Sequence, residues 1–201
     1  MSAALSHLRG SDSRLAALID RIGPYSIAYR PPEFATLARS VVYQQLSGKA
    51  AATIFGRLEQ AVHPDPVTAS SLSGLTVEEL RALGLSQQKT SYLHALAEMT
   101  LSSKIDFALL PALPDEDVIA HLTAVKGIGA WTAQMFLIFA LRRPDVLPTG
   151  DLGVRNAMQR LYRLKTPPVP SRMERIARPW RPFSSVACWY LWRSLDNVAA
   201  L

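Results

Sequence analysis

The amino-acid sequence predicts an all-α fold. Helix start and stop signals recur along the chain, whereas no stretch sustains the apolar–polar alternation of a β-strand and no Asn-Gly or Asp-Gly hairpin turn occurs. Apolar residues make up 49% of the 201 residues and charged residues 19%, which is typical of a chain that buries a globular core.

Three helices are predicted in the first half of the chain. Pro31-Pro32 ends the N-terminal segment, and a long apolar-periodic helix is predicted from about residue 34 to residue 62, where His63-Pro64-Asp65-Pro66 breaks it. Thr76-Val77-Glu78-Glu79 is a capping box that opens a short helix. A further helix is predicted over about 88–101.

The second half continues in the same way. Pro114 precedes a helix whose first turn is acidic, and this helix is interrupted at Lys126-Gly127-Ile128-Gly129. Residues 130–141 are apolar nearly all round, which predicts a buried helix. A helix over about 152–164 is followed by a proline-rich break and the terminal helices.

Several classes of protein are excluded by composition. Cys188 is the only cysteine, so a disulfide framework, a four-cysteine iron–sulfur cluster and a thiolate zinc site are excluded. The four histidines show no metal-ligand spacing. The longest apolar run, Met135–Leu141, is far shorter than the about 18 residues of a membrane span, and the N-terminus lacks the pattern of a secretion signal. An intracellular protein is expected, in the cytoplasm or nucleoid if it is bacterial.

The net charge of +6 lies entirely in the last quarter of the chain. Residues 1–150 hold 13 basic and 13 acidic residues, whereas residues 151–201 hold nine basic and three acidic ones. A one-sided basic region favours a polyanionic partner, of which nucleic acid is the commonest. A solvent-exposed surface whose excess of basic residues has no function would give the same charge distribution.

Residues 122–133 are predicted to form a helix, a four-residue turn and a second helix. Gly127 and Gly129 allow the backbone to turn tightly and to approach another molecule, and Ile128 between them is predicted to pack inward. The N–H groups that open the second helix suit a phosphate group. Taken alone, the same residues also fit an ordinary helical hairpin.

Five segments in order strongly resemble the helix-hairpin-helix superfamily of DNA glycosylases, and most of all its 3-methyladenine DNA glycosylase II type. They are Val41–Ser47, Leu83–Lys89, Lys126–Trp131, Leu147–Gly153 and Arg178–Trp189. The resemblance implies two helical lobes with the active-site cleft between them, in a compact form that lacks an N-terminal α/β domain. The central lobe, 34–145, contains the hairpin at about 113–141. Residues 1–33 and 146–201 form the second, discontinuous lobe.

The resemblance makes Asp151 the catalytic residue of a monofunctional glycosylase in base excision repair. Breaking a glycosidic bond builds positive charge on the sugar, and a fixed carboxylate stabilises that charge. The implied substrates are alkylated purines in double-stranded DNA, namely 3-methyladenine, 7-methylguanine and 1,N6-ethenoadenine. Taken alone, an aspartate at the head of a helix is more often an N-cap.

The base pocket implied by the resemblance is aromatic. Trp131 and Trp189 would stack on the flipped base, beside Met135 and Tyr43. Relatives that also cut the DNA backbone carry lysine where this chain has Trp131, so no lyase activity is expected. Taken alone, both tryptophans fit a hydrophobic core equally well.

The remaining residues implied by the resemblance contact DNA. A wedge fills the gap left by the flipped nucleotide, and Gln45 is preferred for it over Leu46 and Gln44. Contacts to the DNA backbone are expected from Lys126, Gly127, Gly129, Ala130, Thr132 and Lys89. A structural Na⁺ or K⁺ ion is expected on the backbone carbonyls of Thr123, Val125 and Gly127.

The resemblance implies a protein that acts as a monomer and needs no other cofactor. Two alternatives remain open from the sequence. One is a non-catalytic DNA-binding protein that uses the same hairpin, and the other is a glycosylase for another kind of damaged base.

Overall fold

The computed structural model describes residues 1–196, and within that range the regular structure is helical with no β-strand, as predicted. None of these helices combines the length and apolar character that crossing a membrane requires. The α-helices are α1 (Ser2–Ser11), α2 (Ser13–Ile22), α3 (Phe34–Tyr43), α4 (Gly48–Val62), α5 (Ala69–Ser73), α6 (Val77–Ala82), α7 (Gln87–Leu101), α8 (Asp115–Thr123), α9 (Ala130–Phe139), α10 (Leu152–Leu161), α11 (Pro170–Ala177) and α12 (Ser184–Asp196). Short 3₁₀ helices cover Leu110–Ala112 and Arg178–Trp180.

The chain divides into two compact units. The first unit joins residues 1–29 to the C-terminal segment that begins at Arg142, and the second unit is Arg30–Leu141. The sequence placed the same division at 34–145, so both observed boundaries lie slightly earlier in the chain.

The first unit is built around α12. This helix packs against α2 and α10, while α1 packs against α2 and against the 3₁₀ helix at Arg178–Trp180. Trp180 and Tyr190 are its largest fully buried side chains. Asp12 caps the N-terminus of α2 by accepting hydrogen bonds from the N–H groups of Arg14 and Leu15, and its other oxygen accepts from Trp180 Nε1 at 3.1 Å.

The second unit holds helices α3 to α9. Helix α3 packs against α4, α7 and α9, and α8 packs against α9. The predicted capping box is confirmed, because the Thr76 hydroxyl accepts from the Glu79 N–H while the Glu79 carboxylate accepts from the Thr76 N–H. Helix α9 is buried along most of its length, as its apolar sequence predicts, although Trp131 in its first turn is exposed.

The prediction of one continuous helix over 34–62 was wrong. The chain leaves the helical conformation at Gln44, and Gln45 has a left-handed backbone with φ of 57°. The Ser47 hydroxyl then accepts a hydrogen bond from the Ala50 N–H and starts α4. The ammonium group of Lys89 donates to the carbonyl oxygens of Val42 and Gln44, which supplies partners for the end of α3.

Candidate functional site

The hairpin between α8 and α9 depends on Gly127. This residue has φ of +88°, and a Cβ atom added to it would lie 2.2 Å from the ring of Tyr92, so no other residue fits without displacement. The Gly127 carbonyl accepts a hydrogen bond from Gln44 Nε2 at 3.0 Å, and Ile128 is buried beneath the turn. Gly129 is the N-cap of α9, at the exposed end of the hairpin.

The hairpin carbonyls expected to hold a cation are partly engaged within the protein. The Val125 oxygen accepts from the Ile128 N–H at 3.0 Å, and the Gly127 oxygen accepts from Gln44. A carbonyl oxygen has a second lone pair, so both oxygens, with that of Thr123, are compatible with a monovalent cation. Within residues 1–196 no group of three His, Cys, Asp or Glu side chains is placed to hold a metal ion.

A cavity of about 490 Å³ opens in the second unit beside the hairpin. Trp131, Met135 and Tyr43 line it, so three of the four residues expected to form the base pocket lie together. Trp131 has 45% of its surface exposed. The volume is within the range of about 300–1,000 Å³ that is usual for small-molecule sites.

The same cavity has two arginine residues that the sequence analysis missed. Arg30 and Arg39 line it, and within the described part of the chain no acidic residue does so. The Arg39 guanidinium carbon lies 4.1 Å from the centre of the Tyr43 ring and 5.2 Å from that of Phe55, and the group donates a hydrogen bond to the Tyr43 hydroxyl. The four-residue spacing of Arg39 and Tyr43 on one helix could have indicated this pair.

The three wedge candidates differ in their surroundings. Gln45 and Leu46 are exposed at the turn between α3 and α4, and Gln45 holds the left-handed backbone. Gln44 is partly buried, and its side-chain amide is bound to the Gly127 carbonyl. The exposed pair is therefore the pair that can reach a partner molecule without breaking a hydrogen bond of the protein.

The two lysines expected to contact phosphate also differ. Lys126 is exposed on the hairpin. The Lys89 ammonium instead donates to the carbonyls of Val42 and Gln44 at 2.7 and 2.6 Å, and burial lowers its pKa. Lys89 is therefore partly buried, and its ammonium group supports the α3–α4 turn. Thr132 is also buried, so only its backbone could take part in the expected contact.

Asp151 lies in the first unit, where it is the N-cap of α10 and is 7% exposed. Its Oδ1 atom accepts hydrogen bonds from the Val154 N–H at 2.7 Å and from Trp192 Nε1 at 2.9 Å. Trp192 was not predicted from the sequence as a site residue, although its three-residue spacing from Trp189 places both indoles near one face of α12. The two interpretations of Asp151, as a cap and as a fixed carboxylate, are therefore geometrically compatible.

Trp189 also lies in the first unit and is 7% exposed. Its ring centre is 4.8 Å from that of Tyr25 and 4.8 Å from that of Tyr190. Burial raises the pKa of Tyr25, which keeps this hydroxyl neutral. The expectation that Trp189 stacks on a base stays a prediction, and the structure adds a packing role for its indole.

Similarity to known proteins covers most of the chain. The family model described as HhH-GPD superfamily base excision DNA repair protein matches residues 38–182. DNA-3-methyladenine glycosylase 1 of Schizosaccharomyces pombe is 36% identical over 201 residues, which cover 94% of this chain and 85% of that protein. A structure of the Schizosaccharomyces pombe 3-methyladenine DNA glycosylase in complex with abasic DNA matches with a TM-score of 0.86 at 35% identity, covering 96% of this chain and 97% of that one. A DNA-3-methyladenine glycosidase structure from Bacillus halodurans matches with a TM-score of 0.87 at 36% identity, covering 98% and 91%.

Proposed function

The chain belongs to the HhH-GPD superfamily of base excision DNA repair proteins, and from that membership we propose that it is a DNA glycosylase that removes alkylated purines from double-stranded DNA. The observation that carries the proposal is Asp151, a carboxylate fixed by two donors at the head of α10. The relatives named as 3-methyladenine glycosylases supply the substrate class.

The proposed reaction is hydrolysis of the bond between the base and C1′ of the sugar. As that bond breaks, positive charge develops on C1′ and the ring oxygen, and the carboxylate of Asp151 stabilises it. A water molecule adds to C1′ and loses a proton, while the base leaves with the bonding electrons. 3-Methyladenine and 7-methylguanine carry a positive charge in DNA and leave as neutral bases, so their removal needs no strong general acid. The neutral 1,N6-ethenoadenine leaves as an anion that takes up a proton from water.

The pocket proposed for the flipped base is the cavity lined by Trp131, Met135 and Tyr43. The exposed indole offers a stacking surface, and Met135 offers a polarisable wall. The positive charges of Arg30 and Arg39 repel a cationic base, whereas their N–H groups can donate hydrogen bonds to a neutral one. Within the proposed substrate class, this charge favours the neutral 1,N6-ethenoadenine over the cationic 3-methyladenine and 7-methylguanine.

The proposed product is an intact abasic site. Trp131 stands where the resemblance places lysine in relatives with lyase activity, and an indole cannot form a Schiff base. Water is therefore the nucleophile, and the DNA backbone stays uncut.

The proposed DNA contacts come from the hairpin and from the α3–α4 turn. The exposed Gln45 and Leu46 fill the gap in the duplex, and Lys126 with the N–H groups around Gly129 holds a phosphate. We propose that the protein acts inside the cell as a monomer, with a Na⁺ or K⁺ ion on the hairpin carbonyls of Thr123, Val125 and Gly127.

The first prediction is that Asp151→Asn lowers single-turnover excision of 1,N6-ethenoadenine by about 100-fold or more, because a preorganised charge is lost from the transition state. Asparagine retains the N-cap, so folding and affinity for an abasic-site duplex are expected to persist. Base release is measured by chromatography, with 7-methylguanine in parallel, and the wild-type strand should stay whole without alkali.

Excision by Asp151→Asn within a few-fold of the wild type would contradict the assignment. A wild-type protein that binds duplexes but releases no base would instead support the non-catalytic alternative. Strand cleavage with a borohydride-trapped protein–DNA adduct would contradict the proposed absence of lyase activity.

A further inference from the structure

We propose that Trp192 is a positioning residue for the catalytic carboxylate, acting through the hydrogen bond from its indole N–H to Asp151. This inference rests on the proposed function, since it takes Asp151 to be the group that meets the developing charge. Trp192 itself is not taken to touch the DNA.

The contact has the geometry of a strong hydrogen bond. Trp192 Nε1 lies 2.9 Å from Asp151 Oδ1, and the Val154 N–H lies 2.7 Å from the same oxygen. One donor belongs to α10 and the other to α12, so the two approach the oxygen from different elements. Donors that converge on one oxygen restrict rotation of the carboxylate about its Cβ–Cγ bond, and hydrogen bonds to an ionised acceptor are the stronger kind.

A bare N-cap does not require this second donor. The Val154 N–H alone satisfies the usual bond from the first helical turn to the capping side chain. The indole therefore adds to a cap that is already complete, at a carboxylate that is 7% exposed. What the added bond supplies is a fixed orientation, which is the property that electrostatic stabilisation of a transition state needs.

The surroundings of Gly153 also support a positioning role for Trp192. A Cβ atom added to it would lie 3.1 Å from Asp151 Oδ1, 3.1 Å from Trp192 Cδ1 and 3.3 Å from Trp192 Nε1. These separations are tighter than ordinary contacts, so a side chain at 153 would displace the indole or the carboxylate by a few tenths of an ångström. Glycine in the first turn of α10 leaves room for the pair.

The first unit contains a matched control. Trp180 Nε1 donates to Asp12 at 3.1 Å, and Asp12 is the N-cap of α2. Trp180→Phe thus deletes the same kind of bond, from an indole to a capping aspartate, at a position with no proposed part in the reaction. Any general effect of losing such a bond will be common to both variants.

The second prediction concerns Trp192→Phe, which keeps the aromatic packing and removes the donor. We expect its single-turnover excision rate to fall roughly 10-fold, the size typical of losing a hydrogen bond to a charged group. Affinity for an abasic-site duplex should stay unchanged. In an Asp151→Asn background the same substitution should cause no further loss, because residues that act as a unit are non-additive.

Trp180→Phe is expected to lower the melting temperature while its excision rate stays near that of the wild type, with all rates measured below the melting range. Gly153→Ala is the second variant, should Trp192→Phe fail to fold. Alanine ordinarily stabilises a helix relative to glycine, so a lower excision rate with an unchanged or higher melting temperature would support crowding of the pair.

The outcomes separate this inference from the proposed function. If Asp151→Asn abolishes excision but Trp192→Phe and Gly153→Ala match the wild type, the positioning role is rejected and the function stands. An equal loss from Trp192→Phe in the Asp151→Asn background would also reject it. If Asp151→Asn retains activity, the catalytic assignment itself is wrong.

Discussion

Trp131 and Trp189, the two tryptophans expected to stack on the base, have different surroundings. Trp131 lines the cavity of the second unit and is 45% exposed, whereas Trp189 packs against Tyr25 and Tyr190 in the first unit and is 7% exposed. An exposed indole can be removed with little loss of packing, and a buried one cannot. The structure thus separates two residues that the sequence treated alike.

The third prediction follows from this difference. Trp131→Ala should lower excision roughly 5- to 150-fold, the range typical of losing a stacking contact with a base, and should change the free energy of unfolding by less than about 1 kcal/mol. Trp189→Ala should lower the free energy of unfolding by about 3–5 kcal/mol, because it leaves a cavity in the core. Urea denaturation and single-turnover excision measure the two effects.

Equal destabilisation by both substitutions would contradict this separation. A Trp189→Ala protein that keeps its stability but loses excision would place Trp189 mainly in the base pocket, as the resemblance implies.

At the scale of elements, the α8–α9 hairpin shows which of its two glycines the turn requires. Gly127 and Gly129 look equivalent in the sequence. Of the two, only Gly127 has a positive φ, and only there would an added Cβ atom meet the ring of Tyr92. A Cβ atom added to Gly129 would meet nothing within 4 Å. The two glycines therefore offer a matched pair of substitutions two residues apart.

The fourth prediction is that Gly127→Ala lowers the free energy of unfolding by at least about 2 kcal/mol, because it adds a left-handed alanine and a clash with Tyr92. It should also weaken binding to damaged and undamaged duplexes alike, since the turn presents the proposed phosphate site. Gly129→Ala should change stability by no more than about 1 kcal/mol. Denaturation curves and fluorescence anisotropy with both duplexes give the comparison.

Similar stabilities for the two variants would show that Tyr92 can move aside at little cost. In that case the contact with Tyr92 would not explain why residue 127 is glycine.

For the molecule as a whole, Asp12 joins distant parts of the chain. Besides capping α2, it accepts hydrogen bonds from the Tyr162 hydroxyl and from Trp180 Nε1, which are 150 and 168 residues away in the sequence. Burial raises the pKa of Asp12, but the bonds from Tyr162, Leu15, Trp180 and Arg14 together hold it below its usual value. A lowered pKa means that the ionised form stabilises the folded state.

The fifth prediction is a pH dependence with a defined sign. The contribution of Asp12 to the free energy of unfolding should be complete above about pH 5. It should be lost progressively as the pH falls from about 4, the usual pKa of aspartate in an unfolded chain, through the lowered pKa of Asp12 in the folded protein. Asp12→Asn keeps the cap and removes the charge. Its urea midpoint should lie below that of the wild type at pH 7, and the difference should narrow at pH 3.

A difference that stays constant between pH 7 and pH 3 would show that shape rather than charge explains the effect of Asp12→Asn.

Local signals in the sequence by themselves determine much of this protein. Proline breaks, the Thr76 capping box and the glycine pair at 127 and 129 act within a few residues of themselves, so the sequence alone predicts the helices that they bound. The family resemblance, carried by ordered motifs, was confirmed by the match over residues 38–182. The wrong prediction of one helix over 34–62 overlooked Ser47, an N-cap signal that follows the polar residues Gln44 and Gln45.

Only the tertiary structure decided which side chains meet. The bond from Trp192 to Asp151, the placement of the Lys89 ammonium at the end of α3 and the convergence of Tyr162 and Trp180 on Asp12 join residues that are 41 to 168 positions apart. The 40 residues between Asp151 and Trp192 contain no pattern that predicts their contact. Such contacts form because packing the helices brings polar groups out of water, where each buried donor or acceptor must find a partner within reach.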